Sequence, residues 1–171
     1  MPVITRRTFC LLAGAAGVCA TVPALAQSWR TYRNPRFGTT IEHPDSFRAG
    51  RPPDNGGGLG FTARDTASFS VWGSHNALDH DLAGLESFIR EEVTSDKRVT
   101  YEARGANWFV IAGVHEANTF YERYLLSHGG KIVNGFTMQY ASRLKAPYDS
   151  IVTRMSRSFR AGRGADTKGN P

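Results

Sequence analysis

The sequence predicts an α+β fold: an α/β/α sandwich in which a largely antiparallel sheet is flanked by helices. Three observations carry this expectation. Most apolar segments between residues 59 and 141 are short, rich in β-branched and aromatic residues, and bounded by Gly, Asn and Asp turns. Only two segments, about 82–94 and 147–160, repeat their apolar residues at helical spacing. One strand candidate, Trp108–His115 (WFVIAGVH), is apolar on both faces, as a central strand covered on both sides would be.

The N-terminal 26 residues have the three zones of an export signal. Arg6 and Arg7 are the positive zone, Leu11 to Val22 is a small and apolar run, and Ala24-Leu25-Ala26 is a cleavage site before Gln27. Arg6-Arg7 with Phe9 two places on resembles the twin-arginine variant, which carries folded proteins across the bacterial inner membrane. A membrane anchor would need about 20 predominantly apolar residues, and this run is shorter and diluted by Gly14, Gly17 and Thr21. A lipid anchor on Cys19 is disfavoured by Val18, where a small residue is required. Cleavage between Ala26 and Gln27 is expected, leaving a periplasmic domain over residues 27–160. The remaining AGRGADTKGNP (161–171) has no apolar residue larger than alanine and is expected to be a loose tail.

A hairpin is expected between Trp29–Tyr32 and Thr39–His43, turning through Asn34-Pro35-Arg36-Phe37-Gly38. Residues 49–58 (AGRPPDNGGG) suit only an irregular loop. Short strands follow at Leu59–Arg64 and Ser68–Gly73. Leu82, Leu85, Ile89 and Val93 then fall on one face of a helix, with Asp79 or Asp81 placed to cap it. Strands are expected at Val99–Arg104, Trp108–His115, Thr119–Ser127 and Lys131–Ala141, the last two joined by a tight His128-Gly129-Gly130 turn. On the last strand Ile132, Phe136, Met138 and Tyr140 share a face. The closing helix, from Pro147 at its first position to Arg160, buries Tyr148, Ile151, Val152, Met155 and Phe159. Arg154, Arg157 and Arg160 lie opposite, where a solvated face is expected and a weak contact with an anionic surface is possible.

Composition narrows the function. Of 171 residues, 145 remain after cleavage, a length suited to one domain that needs no staples. None is available, because both cysteines, Cys10 and Cys19, lie in the leader. Residues 27–171 therefore hold no thiolate nucleophile, thiolate metal ligand or thiol redox pair. The chain has 21 basic and 15 acidic residues, and loss of Arg6 and Arg7 leaves a net charge of +4. That mild excess, without clustering, argues against nucleic acid as partner.

YRNPRFGTTIEHPDSF near the start, FVIAG in the middle and the closing YDSI…SRSF segment resemble the PsbP-like superfamily. That group includes the photosystem II extrinsic protein, a Ran-binding nuclear import factor and DcrB-like bacterial periplasmic proteins. The resemblance spans about Tyr32 to Arg160 and implies an α/β/α sandwich acting as a non-enzymatic binding or assembly module. It transfers no contact residues.

Candidate chemistry is sparse. His75, Asp79, His80 and Asp81 place two imidazoles and two carboxylates within seven residues, enough for zinc in principle, but at a spacing that matches no established motif. A strand-to-helix connection, with an Asp capping the helix and the histidines solvated, explains them better. Ser127-His128-Gly129-Gly130 resembles a lipase oxyanion loop, yet no G-x-S-x-G elbow accompanies it. Gly56-Gly57-Gly58-Leu59-Gly60 lacks the Lys-Ser/Thr and helix of a phosphate-binding loop. The aromatics Trp29, Phe37, Phe69, Trp72, Trp108, Phe109, Phe120, Tyr121 and Tyr124 read mostly as core. The reading is an exported binding or accessory protein with no cofactor and no catalytic residues. The alternative is a small metal-dependent hydrolase built on His75, Asp79, His80 and Asp81.

Overall fold

The computed structural model describes residues 27–163, so the leader, with Arg6, Arg7, Phe9 and Ala26, and residues 164–171 lie outside the described residues. Strands β1 (Trp29–Arg33) and β2 (Thr40–Pro44) pair antiparallel in a separate two-stranded ribbon. Asn34 shapes its turn, the Oδ1 accepting from the backbone N–H groups of Arg36 and Phe37 at 3.0 and 2.7 Å. Gly38, at φ +68°, brings the chain back.

Seven further strands make the main sheet: β3 (Arg48–Ala49), β4 (Gly58–Thr62), β5 (Ser68–His75), β6 (Arg98–Arg104), β7 (Trp108–His115), β8 (Asn118–Ser127) and β9 (Ile132–Ala141). All pairs are antiparallel, in the order β3-β4-β5-β9-β8-β7-β6. Two expectations are corrected here. The loop expected over 49–58 is shorter, because Ala49 belongs to β3 and Gly58 to β4. Gly58 is accommodated in the strand because it lacks a Cβ, which would lie 2.5 Å from Trp72 Cβ. The middle strand is β9, not β7. β7 stands beside the edge strand β6, and its doubly apolar sequence reflects cover by a helix on one face only, the other face lining a groove.

Helix α1 (Leu82–Glu92) starts where Asp81 Oδ1 accepts from the Gly84 N–H at 2.7 Å. Of the two capping candidates, Asp81 does the capping, while Asp79 sits at φ +50° in the turn before it. Leu85 and Ile89 are buried against Phe109, Ile111, Phe120, Tyr124, Leu126 and Val133. Helix α2 (Lys145–Ser158) follows a 3-10 turn at Ser142–Leu144. It begins earlier than expected, so Pro147 is its third residue. That position still lies in the first turn, where a backbone N–H has no intrahelical acceptor. Tyr148, Val152 and Met155 pack with Phe61, Phe69, Val71, Phe136 and Met138.

The C-terminal end of α2 also differs from expectation. Phe159 and Arg160 leave the helix in extended conformation, and Arg160 exchanges two backbone hydrogen bonds with Thr40 of β2, at 2.9 and 3.0 Å. Phe159 is nevertheless fully buried in the α2 core, because the extended backbone turns its ring inward. The Arg160 Nη1 donates back to the carbonyls of Arg157 and Phe159, partners that complement the helix end as a helical arginine would. Gly162, assigned by sequence to the loose tail, packs against Gly38 and accepts from His128 Nε2 at 3.1 Å.

The two helices cover opposite faces, since alternate residues of β5 and β9 face one core or the other. Val71, Phe136 and Met138 lie under α2, whereas Trp72 and Val133 lie with α1. Each helix is too narrow for seven strands, so part of each face has no helix over it. On the α1 face this part carries Ser68, Ser70, Thr137 and Gln139, with Thr137 Oγ1 donating to Ser70 Oγ at 3.4 Å. On the α2 face it carries Tyr101, Trp108, Val110 and Ala112.

Candidate functional site

The sequence cluster from His75 to Asp81 is pulled apart by the fold. His75 ends β5, its ring packs edge-on against Phe37 with centroids 5.4 Å apart, and its Nε2 is buried without a hydrogen-bond partner. His80 lies over Phe88 at 5.6 Å. Asn76 organises the connection, donating to the carbonyls of His80 and Gly130 at 2.7 and 2.8 Å. Asp81 is engaged with Gly84. Asp79, His80 and Asp81 do line a shallow cleft of 550 Å³ together with His128, a residue distant in sequence. Among the described residues no three His, Cys, Asp or Glu side chains converge on a point where an ion would sit. His128-Gly129-Gly130-Lys131 forms the loop between β8 and β9, with positive φ at His128, Gly129 and Gly130, as the hairpin reading requires.

The arginine stripe of α2 is only partly solvated. Arg154 binds Glu42 of β2 through Nε and Nη2 at 3.0 and 2.9 Å and stacks over Trp29 at 4.1 Å. All three arginines are exposed, but with Arg154 and Arg160 engaged, Arg157, which borders the neighbouring groove, is the one whose side chain has no hydrogen-bond or ion-pair partner among the described residues.

That groove, of 820 Å³, runs between α2 and the β6–β7 end of the sheet. Its floor follows from strand register. Tyr101, Ala112, Tyr121 and Met138 lie opposite one another across β6, β7, β8 and β9, and Val110, Arg123 and Phe136 form the next row. Directly opposite residues share a face. The inner ends of both rows, Met138 and Phe136, are under α2, and the outer ends open into the groove. Tyr101 is 55% exposed there, while Val110 and Ala112 below it are buried.

Arg123 is the polar centre of this surface. Its Nη1 donates to the Ser156 carbonyl and hydroxyl of α2 at 2.6 and 2.7 Å, and the guanidinium lies 4.7 Å from the Trp108 ring centroid. Tyr121 shares a 2.7 Å hydrogen bond with the same Ser156 hydroxyl. Burial raises the Tyr121 phenol above its usual pKa and lowers that of Arg123. No carboxylate among the described residues pairs with Arg123, and its Nε is buried without an acceptor. Lys97, a half-buried cation just before β6, has one: its Nζ is 3.1 Å from buried Glu122, which also accepts from Tyr124 at 2.6 Å.

Sequence reasoning did not single out the groove or Arg123. The alternation Thr119, Tyr121, Arg123, Leu125 places a guanidinium on the face of β8 that holds apolar neighbours, which was the available signal. Trp108 and Tyr121, read as core, are half-buried and line the groove instead.

The fold so described is an α+β sandwich with a seven-stranded antiparallel sheet and a helix on each face. Solved structures identify it more closely as the PsbP-like fold. Cyanobacterial PsbP (CyanoP) from Synechocystis sp. PCC 6803 superposes with a TM-score of 0.59 at 15% identity, covering 88% of this chain and 98% of that one. The Ran-binding protein Mog1p of Saccharomyces cerevisiae superposes with a TM-score of 0.52 at 12% identity, covering 79% and 96%. Identities this low show the fold alone. No protein-family model matches the sequence, and a search of curated proteins finds no match. No helix among the described residues is long and apolar enough to cross a membrane.

Proposed function

We propose that this is an exported, periplasmic binding or accessory protein of PsbP-like fold that engages its partner through the groove between α2 and β6–β7, without catalysis of its own. The observation that carries this reading is the contrast between the two parts of the sheet without helix cover. One presents hydroxyl and amide side chains beside the Lys97–Glu122 ion pair, its cation already matched. The other is apolar, aromatic and concave, as binding sites are. Mog1p, named for binding Ran, offers a precedent for this fold as a binding module. The export part of the proposal rests on the Arg6-Arg7 leader and its Ala24-Leu25-Ala26 exit.

The test is affinity capture from periplasmic extract with tagged residues 27–171, run beside an Ala112→Trp variant that fills the groove and keeps native circular dichroism. Molecules retained by the parent and lost from the variant support the reading. Identical retention by both proteins overturns the groove as the binding surface.

A further inference from the structure

We propose that the groove is a site for a small organic carboxylate, an apolar body lying on Tyr101, Val110 and Ala112 with its carboxylate held by Arg123. This rests on the reading of the groove as a binding surface and names the chemistry of what it takes.

The argument starts from an uncompensated charge. A guanidinium drawn out of water is ordinarily paired with a carboxylate, because the desolvation cost is otherwise unmet. Lys97 on the other face meets this rule through Glu122, and Arg154 meets it through Glu42. Arg123 does not, although it is half-buried and desolvation lowers its pKa. Its protein contacts are neutral: the Ser156 oxygens and the Trp108 ring. These contacts fix the plane of the guanidinium. Nη2 makes no hydrogen bond to the described residues and is not among their buried polar atoms, so it remains open to an incoming oxygen. With Nη1 engaged and Nε buried, Nη2 offers one charge-assisted hydrogen bond, from a guanidinium already oriented, to a carboxylate oxygen.

The surroundings select a monoanion over a dianion. The nearby ammonium of Lys145 is already neutralised by Asp149, with both oxygens at 2.8 Å, and Asp149 itself lines the groove. A phosphate dianion would bring a second negative charge toward that carboxylate, with Arg123 the one half-buried cation to meet it and Arg157 exposed to water at the border. The remaining surface is mainly apolar and aromatic, with Thr119, Ser142 and Thr153 among its neutral polar residues, and the 820 Å³ volume lies in the range of small-molecule sites, about 300–1,000 Å³.

The experiment titrates residues 27–171 by calorimetry with decanoate and 4-biphenylcarboxylate, each beside its neutral alcohol, and with decyl phosphate. Expected is one-to-one binding of at least one acid, about ten- to a hundredfold tighter than its alcohol. Arg123→Gln should erase that preference while the alcohol binds as before. Should that variant misfold, Ser156→Ala, which only loosens the guanidinium, is expected to narrow the preference. Acid and alcohol binding equally, both lost in Ala112→Trp, would overturn the carboxylate and leave the groove standing. Tighter binding of decyl phosphate would overturn the monoanion. No binding by either acid would overturn the small-molecule ligand, and the groove itself would then stand or fall with the capture experiment.

Discussion

Trp72 of β5 fills the space that a side chain on Gly135 would need. The two residues are directly opposite in the β5–β9 ladder, and a Cβ on Gly135 would lie 2.2 Å from the indole Cε2. The ring is held there against Tyr124, with centroids 6.0 Å apart. Gly135→Ala must therefore displace the indole, and is expected to cost about 1–3 kcal/mol as overpacking does. Urea unfolding gives the cost and near-ultraviolet circular dichroism the loss of the tryptophan's fixed environment. An unchanged midpoint would refute the packing.

Phe159 and Arg157 test the seat of α2. Phe159 has no exposed surface, so Phe159→Ala is expected to cost about 3–5 kcal/mol in lost transfer energy and cavity. Arg157 is exposed, and Arg157→Ala should stay within about 0.5 kcal/mol. Equal or reversed urea midpoints would contradict the burial.

His43 gives the fold a pH dependence. Burial lowers its pKa below 6.5, assisted by nearby Arg30 and opposed by the Pro44 carbonyl and Asp45. The ring is enclosed by Phe61 and Phe69, and Nδ1 donates to the Pro44 carbonyl at 2.8 Å. Between the folded and unfolded pKa values the unfolded chain binds more protons, so stability rises with pH across that window and is lost as pH falls through it. Melting temperature should drop between pH 7 and pH 5, and by less in His43→Gln, which cannot titrate. A parallel pH dependence in both proteins would exclude His43 as its source.

Zinc is expected to leave the melting temperature almost unchanged. Asp81 is occupied at the α1 N-terminus and His75 packs on Phe37, so the four side chains do not converge on one ion. Metal bound only by the folded protein would raise the transition as it is added. One zinc per chain by elemental analysis, abolished by His75→Ala or His80→Ala, would establish the metal centre instead.

Export is expected to require the guanidinium pair. With both Arg6 and Arg7 replaced by Lys, the precursor should remain in the cytoplasm, detected by fractionation and immunoblot. Normal periplasmic accumulation would exclude the twin-arginine route.

Local pattern was the legible part of this fold. β7 has the bounds its sequence predicts, α1 starts at the expected Leu82, and the β8–β9 turn falls at its glycines. These features are set by alternation, capping and backbone freedom within a few residues. Strand order was not legible. WFVIAGVH looks central because burial of both faces is written in its side chains, but what buries them is not. Gly135 and Asn134 interrupt the apolar pattern of β9, the strand that is central in fact. The groove was hidden for a related reason. It exists because α2 stops short of β6 and β7, a relation between elements far apart in sequence. Arg123 could be seen on an apolar strand face, yet only the packed structure shows it without a carboxylate partner.

β9 joins two half-sheets, β3–β4–β5 and β8–β7–β6, and β2 is tied to Arg160 beyond the last helix. On a ribosome this order of assembly matters. A nascent chain halted at residue 131 owns six of the seven main-sheet strands but no strand to unite them, so β5 and β8 each present an unmet edge. Only after residues 132–160 emerge can the halves join, α2 seat and the ribbon lock. Such non-local closure is slow compared with helical folding. The domain is therefore completed after translation of its last core residue, and the stretch before that point is when the chain is most exposed to pairing with a neighbour.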